Sequence, residues 1–432
     1  MKKKMKLKGS YYSSLPQRVT QNLTEDILFE ILLHLLLIDT FKFHCVSKVW
    51  FSLLSNPNFL RQWYKLNGLN KSLPWGLVYT IMSHNYRLRS KFTIACPELH
   101  SRFITGHRNE FSLRFLYERL NSRKDGLYLI CSSNGLVLCT TTNFNPMSYY
   151  VCNPLTKKWV SLPPPPPPRE KNWVVTGFHC DVCSSSSVIS TSYQVFRIPK
   201  FEPAKQFKVE IFSSDSGEWN TRQVSSPKDI TWDYSSYNNV VTHNGVLYWI
   251  QKQNRILAYN FKNSSNGECC GNHCRLIDLP DVESTENEPD NDDFYYSRQC
   301  LGVSEGMICY GRITRMDMTS GVWVLDEEWK LLHKGEIPHD MLAEIESRLT
   351  GGYICDTITQ VQFLGFNPVD QNVVVLGPKN NVWSYNISTQ GYQQLSHPSF
   401  LATYHSSRSQ MWLTFAFSLK PWPTILPPAS WR

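Results

Sequence analysis

Val209-Glu-Ile-Phe-Ser-Ser-Asp-Ser-Gly-Glu-Trp219 runs as an apolar and aromatic strand into a polar, glycine-containing tip and returns on a tryptophan. Such a run broken by a Ser/Asp/Gly cluster is the signature of a β-hairpin. The same plan recurs at Tyr150-Val-Cys-Asn-Pro-Leu-Thr-Lys-Lys-Trp159, Val322-Trp-Val-Leu-Asp-Glu-Glu-Trp329 and Val382-Trp-Ser-Tyr-Asn-Ile-Ser-Thr-Gln-Gly-Tyr392. A fifth copy, with a longer tip, runs from Ile256-Leu-Ala-Tyr-Asn-Phe to Leu276-Ile-Asp-Leu. Ahead of several copies stands a glycine turn with an apolar strand: Asn134-Gly-Leu-Val-Leu, Asn244-Gly-Val-Leu-Tyr-Trp, Leu301-Gly-Val-Ser-Glu-Gly-Met-Ile-Cys-Tyr, and Leu364-Gly-Phe-Asn-Pro before Val373-Val-Val-Leu. The unit is therefore a four-stranded antiparallel sheet. Such a sheet cannot bury both faces alone, so copies spaced about fifty to sixty residues apart are expected to stack radially as propeller blades. Trp159, Trp219, Trp329 and Tyr392 would then pack between neighbouring blades.

Composition agrees with a broad, aromatic-rich β architecture: 41% of the 432 residues are hydrophobic and 13% aromatic, with 14 Trp and 21 Tyr. The net charge of +8 is unevenly spread, with five lysines between Lys2 and Lys8 and seven acids without a base between Asp281 and Asp293. The basic tip reads as a solvated tail, because no aromatic or glycine-patterned platform for nucleic acid follows it. The acidic run reads as a loop between strands. Thirteen cysteines, an odd number, in a long chain without a secretory apolar region point to reduced thiols and to a nuclear or cytoplasmic protein. The sequons at Asn22, Asn263 and Asn386 carry weight only in a secreted protein. The apolar run Ile27 to Ile38 is too short to span a bilayer and is interrupted by Glu30 and His34, so no membrane anchor is expected.

Ahead of the repeats, residues 23–66 read as three short helices. Thr24 is the candidate cap of the first, with Glu25 and Asp26 in its first turn, where carboxylates suit the positive end of the dipole. Ile27, Leu28, Ile31, Leu32 and Leu35 form one wide apolar stripe along it. Asp39 can cap a second helix carrying Phe41, Phe43, Val46, Val49, Trp50, Leu53 and Leu54. Asn56-Pro57 stops that helix and starts a third with Phe59, Leu60 and Trp63. So small a unit carries more apolar surface than it can enclose, and the surplus calls for cover from another domain or a partner.

Leu23-Thr-Glu-Asp-Ile-Leu-Phe-Glu-Ile-Leu, Phe43-His-Cys-Val-Ser-Lys-Val-Trp50, Leu53-Leu-Ser and Pro57-Asn-Phe59 resemble the F-box of plant F-box proteins. The resemblance implies docking on a Skp-type adaptor, which in turn holds cullin and RING subunits. Leu23, Ile27, Leu28, Ile31, Leu35, Phe41, Cys45, Val46 and Trp50 are the residues it would place in or behind the docking surface. Where the family has proline this chain has Thr24 and Leu36. Without the second proline, the first helix is expected to be able to run on as far as Asp39.

Ser133-Asn-Gly-Leu, Cys152-Asn-Pro-Leu-Thr, Leu162 with the prolines after it, Asn244-Gly-Val-Leu-Tyr-Trp and Leu301-Gly-Val resemble the F-box-associated, kelch-like domain of the same proteins. This implies six blades, the least regular drawn from residues 75–120 and closed by a C-terminal strand around Trp412 to Phe417. The expected organisation is a basic tail over 1–20, an F-box over 21–66, an irregular first-blade region over 67–124 and a propeller over 125–432. Pro163 to Pro168 reads as a stiff connector between blades, although such a run can also attract an SH3 or WW module.

Tests for chemistry give little. Gly302-Val-Ser304-Glu-Gly306 spells a nucleophile elbow, yet a strand, Met-Ile-Cys-Tyr, follows where the elbow needs a helix. Cys269, Cys270, His273 and Cys274 crowd into one hairpin tip without a second ligand pair at zinc-site spacing, and His179, Cys180 and Cys183 are weaker still. No metal, cofactor or catalytic residue is expected. The resemblance implies a non-catalytic substrate-recognition subunit of an SCF-type ubiquitin ligase, with a protein substrate held by the propeller. The alternatives are an adaptor-free scaffold or decoy, and a glycan-binding or catalytic propeller.

Overall fold

The structure is a computed structural model that describes residues 24–35, 46–54, 75–82, 88–94, 127–142, 146–154, 157–167, 173–184, 189–232, 240–251, 254–262, 274–280, 299–314, 318–347, 361–368, 370–377, 382–395 and 410–418, with single positions such as Phe43, Phe59, Trp63, Leu113 and Leu116 between them. The chain divides into two compact units, 1–70 and 71–432.

The first unit is helical. Helix α1 (Glu25–Leu33) starts at Thr24, whose carbonyl accepts the first intrahelical bond from the Leu28 N–H at 3.1 Å. It ends at His34. The His34 and Leu35 N–H groups turn back to the Ile31 and Leu32 carbonyls, tightening the last turn. The expectation that Leu36 would let this helix run on to Asp39 is therefore corrected: the exit is closed by a 3₁₀-type turn at His34 and Leu35, before position 36 is reached. Helix α2 covers Lys48–Leu54, where the Trp50 N–H donates to Ser47 Oγ at 3.2 Å. Phe59, Gln62, Trp63 and Leu66 are helical where the third helix is expected.

The second unit is a ring of sheets. Strands β1 (Trp75–Met82) and β2 (Leu88–Ile94) open it. Four-stranded blade I is β3 (Tyr128–Ser133), β4 (Leu136–Thr140), β5 (Tyr149–Asn153) and β6 (Lys158–Ser161). Blade II is β7 (Val174–Ser184), β8 (Ile189–Pro199), β9 (Ala204–Ser213) and β10 (Glu218–Ile230). Blade III is β11 (Val240–His243), β12 (Val246–Gln251), β13 (Arg255–Asn260) and β14 (Cys274–Asp278). Blade IV is β15 (Gln299–Ser304), β16 (Met307–Ile313), β17 (Thr319–Leu325) and β18 (Trp329–Glu336), followed by helix α3 (His339–Ser347). Blade V is β19 (Gln362–Phe366), β20 (Val373–Gly377), β21 (Trp383–Asn386) and β22 (Tyr392–Gln394). The last strand, β23 (Gln410–Ser418), pairs antiparallel with β1, giving a three-stranded sheet in the order β2-β1-β23.

Six four-stranded blades are not found: among the described residues there are five, one for each copy of the repeated hairpin. The sixth place in the ring is taken by the three-stranded sheet, whose strands come, as expected of the least regular blade, from within residues 75–120 and from a C-terminal strand spanning Trp412 to Phe417. Strands β3, β7, β11, β15, β19 and β23 are successive neighbours, and β23 returns to β3, so the inner strands form a closed circuit. Residues from both ends of this unit thus meet in one sheet.

Turn chemistry fixes the first hairpin of three blades. Asn134-Gly135, Asn244-Gly245 and Glu305-Gly306 all have positive φ at both central positions, from 46° to 83°, the type I′ pattern that matches strand twist. Because each sheet is covered on both faces, the core is divided among the gaps between blades. Val151, Leu162, Phe178 and Tyr193 fill the gap between I and II; Phe196, Val209, Trp249 and Leu257 that between II and III. Ile250, Ile256, Tyr310 and Trp323 fill the gap between III and IV, and Cys309, Val324, Phe363 and Trp383 that between IV and V.

Trp219, Trp329 and Tyr392 pack against these clusters, whereas Trp159 packs against a separate one, with Leu113, Leu116 and Leu127, on the other face of blade I; each is only partly buried. Two of them act as latches: the Trp219 indole N–H donates to the Pro163 carbonyl, in the segment leaving blade I, and that of Trp329 to the Asp278 carbonyl at the end of β14, both at 2.9 Å.

Blade II also holds a buried ion pair. Arg197 on β8 and Glu210 on β9 are direct cross-strand partners, and the Arg197 Nη1 group donates to Glu210 Oε2. Arg197 Nε donates to the Tyr149 hydroxyl of blade I at 3.1 Å, and Nη2 to the Pro146 carbonyl at 3.4 Å. The guanidinium also lies over the Tyr149 and Trp219 rings, 5.9 and 5.7 Å from their centroids. One charged side chain therefore ties two blades together.

Candidate functional site

Two places are candidate sites: the outer surface of the helical unit and the propeller rim carrying the hairpin turns. In the helical unit, Leu28, Leu32 and Leu33 of α1 are buried together with Leu54, Phe59 and Trp63. The Phe29 and Phe59 rings meet edge to face at 5.4 Å, and the Trp63 indole N–H donates to the Leu35 carbonyl at 3.1 Å. These contacts leave Ile27 and Ile31, one turn apart on α1, pointing outward with 47% and 44% of their surface exposed. Val46, Val49 and Phe51 are exposed too.

The residues singled out from sequence therefore separate. Ile27, Ile31 and Val46 offer apolar surface; Leu28 is buried behind them; Leu35 is half-buried; and Trp50 is half-buried with its ring 4.8 Å from Phe43. Leu23, Phe41 and Cys45 lie outside the described residues. Val49 and Phe51 were not among the chosen residues. Val46 lies in the turn before α2 and Val49 in the first turn of α2, so helical spacing does not link the two.

Thr24 has φ −65° and ψ 152° and makes no side-chain capping bond. That φ is the value a proline ring imposes, so the family's proline fits without strain at this position. Thr24→Pro is expected to stabilise the helical unit by about 0.4–1 kcal/mol, by restricting the unfolded chain. A thermal melt that shifts downward would show that the Thr24 N–H or hydroxyl is needed.

At the propeller rim, the turns between first and second strands and between third and fourth strands lie together. The Lys262 ammonium approaches Asp181 Oδ2 at 3.4 Å, and His179 Nε2 approaches Asp181 Oδ1 at 3.1 Å. The 3.1 Å approach is within ion-pair range but lacks the alignment of a hydrogen bond. Burial pushes the His179 imidazole below its ordinary pKa, outweighing the pull of Asp181, and burial does the same to His243 on β11. Further round, Gln371 Nε2 donates to Glu305 Oε2 at 2.9 Å, and the Glu305 N–H donates to the Pro368 carbonyl at 3.0 Å.

Ser304 is fully buried at the end of β15, donates its hydroxyl to the Asn367 carbonyl of blade V, and leads through a tight turn into another strand. It has neither the exposure nor the following helix that a nucleophile elbow needs. The first glycine of that motif has a packing reason, since a Cβ on Gly302 would come within 2.5 Å of the Phe366 ring.

Cys269, Cys270 and His273 lie outside the described residues. Cys274 is buried in β14, where burial raises its thiol to about 12, and Cys300 and Cys309 are raised to the same value for the same reason. Among the described residues no group of three His, Cys, Asp or Glu is placed to hold a metal ion, and no helix is long and apolar enough to cross a membrane.

A helical unit followed by a ring of four-stranded blades is also what comparison with known proteins returns. The family described as F-box protein At3g26010-like, beta-propeller, matches residues 110–414. The chain belongs to this family. The F-box domain matches residues 21–62, ahead of the propeller. Among relatives from Arabidopsis thaliana, F-box protein At5g49610 is 27% identical over 385 residues, covering 86% of this chain and 92% of its own length. F-box protein At3g26010, whose name the family carries, is 25% identical over 393 residues, covering 86% of this chain and 78% of its own. With two further Arabidopsis F-box proteins the match spans 67% and 65% of their lengths. Solved structures are distant: Aleuria aurantia lectin has a TM-score of 0.33 at 10% identity, covering 73% of this chain and 88% of that one, a likeness too slight to carry an argument.

Proposed function

We propose that this chain is the substrate receptor of an SCF-type ubiquitin ligase. Its F-box docks on a Skp-type adaptor that joins the cullin and RING subunits, and its propeller holds a protein substrate at a rim of variable turns. Its contribution is proximity, bringing substrate lysines to activated ubiquitin, and it needs no catalytic group of its own.

The observation that carries this reading is the outward isoleucine pair of α1. A soluble helix ordinarily turns its isoleucines inward. Burying the exposed half of each side chain against a partner would recover about 1 kcal/mol apiece, and Val46, just before α2, and Val49, within it, offer further apolar surface.

The test is titration of purified Skp-type adaptor into the full chain. Wild type is expected to bind at micromolar concentration or tighter. Ile31→Asp is expected to weaken binding by about 2–4 kcal/mol, because a carboxylate would be desolvated at the contact. Since Ile31 is exposed, this variant should keep its circular dichroism spectrum and melting temperature. Trp50→Ala is expected to lose binding as well, but with a lower melt, since Trp50 supports the surface through Phe43. Failure of the wild-type chain to bind would favour the adaptor-free scaffold.

A further inference from the structure

The segment joining blades I and II is Leu162-Pro-Pro-Pro-Pro-Pro167. Successive prolines lock φ near −65° and keep each preceding residue out of the helical region, so this run is a polyproline II helix with about three residues per turn. Its burial follows that period. Leu162 and Pro165 are buried, Pro163 and Pro166 are half-buried, and Pro164 and Pro167 are exposed. A polyproline II helix is a triangular prism, and here one edge, Leu162 and Pro165, faces the propeller. Leu162 joins the cluster between blades I and II, its N–H donates to the Tyr149 carbonyl at 2.9 Å, and the Pro163 carbonyl receives the Trp219 indole.

Of the other two edges, Pro164 and Pro167 are exposed and Pro163 and Pro166 half-buried. A groove that recognises this helix can touch only two of its three edges, and the domains that do so line the groove with aromatic side chains that seat proline rings. The propeller therefore covers the edge such a groove would leave free.

We propose that Pro163–Pro167 is a docking ridge for a polyproline-binding domain of the SH3 type, presented as Pro164-x-x-Pro167 with Pro163 and Pro166 alongside. The ridge is already held in its bound conformation, so the ordering cost a free peptide pays on binding is largely met by the fold. In sequence the run continues Pro168-Arg169, and a guanidinium following the prolines favours a groove with an acidic end. This partner is separate from the adaptor and the substrate, and the proposal stands without the ligase reading.

The full chain is titrated into an isotope-labelled SH3 domain bearing such an acidic end, and the groove resonances are followed by NMR. The wild-type chain is expected to shift them. The Pro164→Ala/Pro167→Ala double variant is expected to weaken binding about tenfold or more, or about 1.4 kcal/mol, while lowering the melting temperature only slightly, because both prolines are exposed and only their restriction of the unfolded chain is lost. Pro165→Ala, on the buried edge, is expected to lower the melting temperature and keep the binding. Unchanged SH3 resonances with the full chain, whether or not a free peptide of residues 160–170 binds, would overturn the proposal. So would wild-type affinity in the double variant, or capture by a WW domain in place of the SH3 domain.

Discussion

Trp383→Ala is expected to destabilise the propeller by about 3–5 kcal/mol, and Trp249→Ala by a similar amount. Trp383 on β21 is 1% exposed and packed in the gap between blades IV and V; Trp249 on β12 is fully buried between II and III. Removing either indole leaves a cavity walled by two blades, and neither blade can close on it without disturbing a ring in which each sheet is held on both faces. Trp159, Trp219 and Trp329 are half-buried, so alanine at each is expected to cost less, about 1–2 kcal/mol of lost apolar contact. Urea unfolding followed by circular dichroism separates the two sets. Equal midpoints across all five variants would mean that the gaps between blades are not where this domain stores its stability.

Glu210→Ala is expected to cost about 3 kcal/mol or more, because it strands the guanidinium of Arg197, which is 1% exposed, without its counter-charge. The Tyr149 hydroxyl and the Pro146 carbonyl would still accept from it, but neither carries charge. Burial already pushes the Glu210 carboxyl above its ordinary pKa, outweighing the pull of Arg197, so desolvation is the dominant influence on this carboxyl. Arg197→Met combined with Glu210→Leu is accordingly expected to regain most of the loss, since two apolar side chains of similar volume suit the same site. The measurement is a double-mutant cycle on unfolding free energy. A double variant as unstable as Glu210→Ala would show that the contacts of Arg197 to Tyr149, Pro146 and Trp219, which span two blades, matter more than charge balance.

Much of this architecture was legible in the chain. Each repeated hairpin is the third and fourth strand of one blade, and the Asn-Gly turns sit where the first hairpins reverse, because only a few residue types accept two successive positive φ values. The fully buried tryptophans were harder to pick out. Alternation sorts the side chains of a strand between two faces, but in a propeller both faces are interior, so Trp249 carries no mark that distinguishes it from the more exposed Trp219. The sheet of β1, β2 and β23 repeats no module, so only the family resemblance pointed to an irregular blade closed by the C-terminal strand; five copies of the hairpin gave the number of four-stranded blades. In the F-box, helical periodicity defined a wide apolar stripe, but not which of its edges would stay in water. Ile27 and Ile31 differ from Leu28 and Leu32 only by the rotation of one residue.

The pairing of β1 with β23 also sets the timing of synthesis. At about 5–20 residues per second, β1 waits roughly 15–60 seconds for its partner to be made. Until then the nascent chain is an open arc: the inner strand of blade I, and later that of blade V once it is made, lack the neighbour that β23 supplies. A message truncated before Gln410 would leave that arc permanently open, exposing sheet edges and apolar faces of the kind that chaperones and proteases recognise. The closing strand thus doubles as a check on ring closure, separating a closed propeller from one whose translation stopped short.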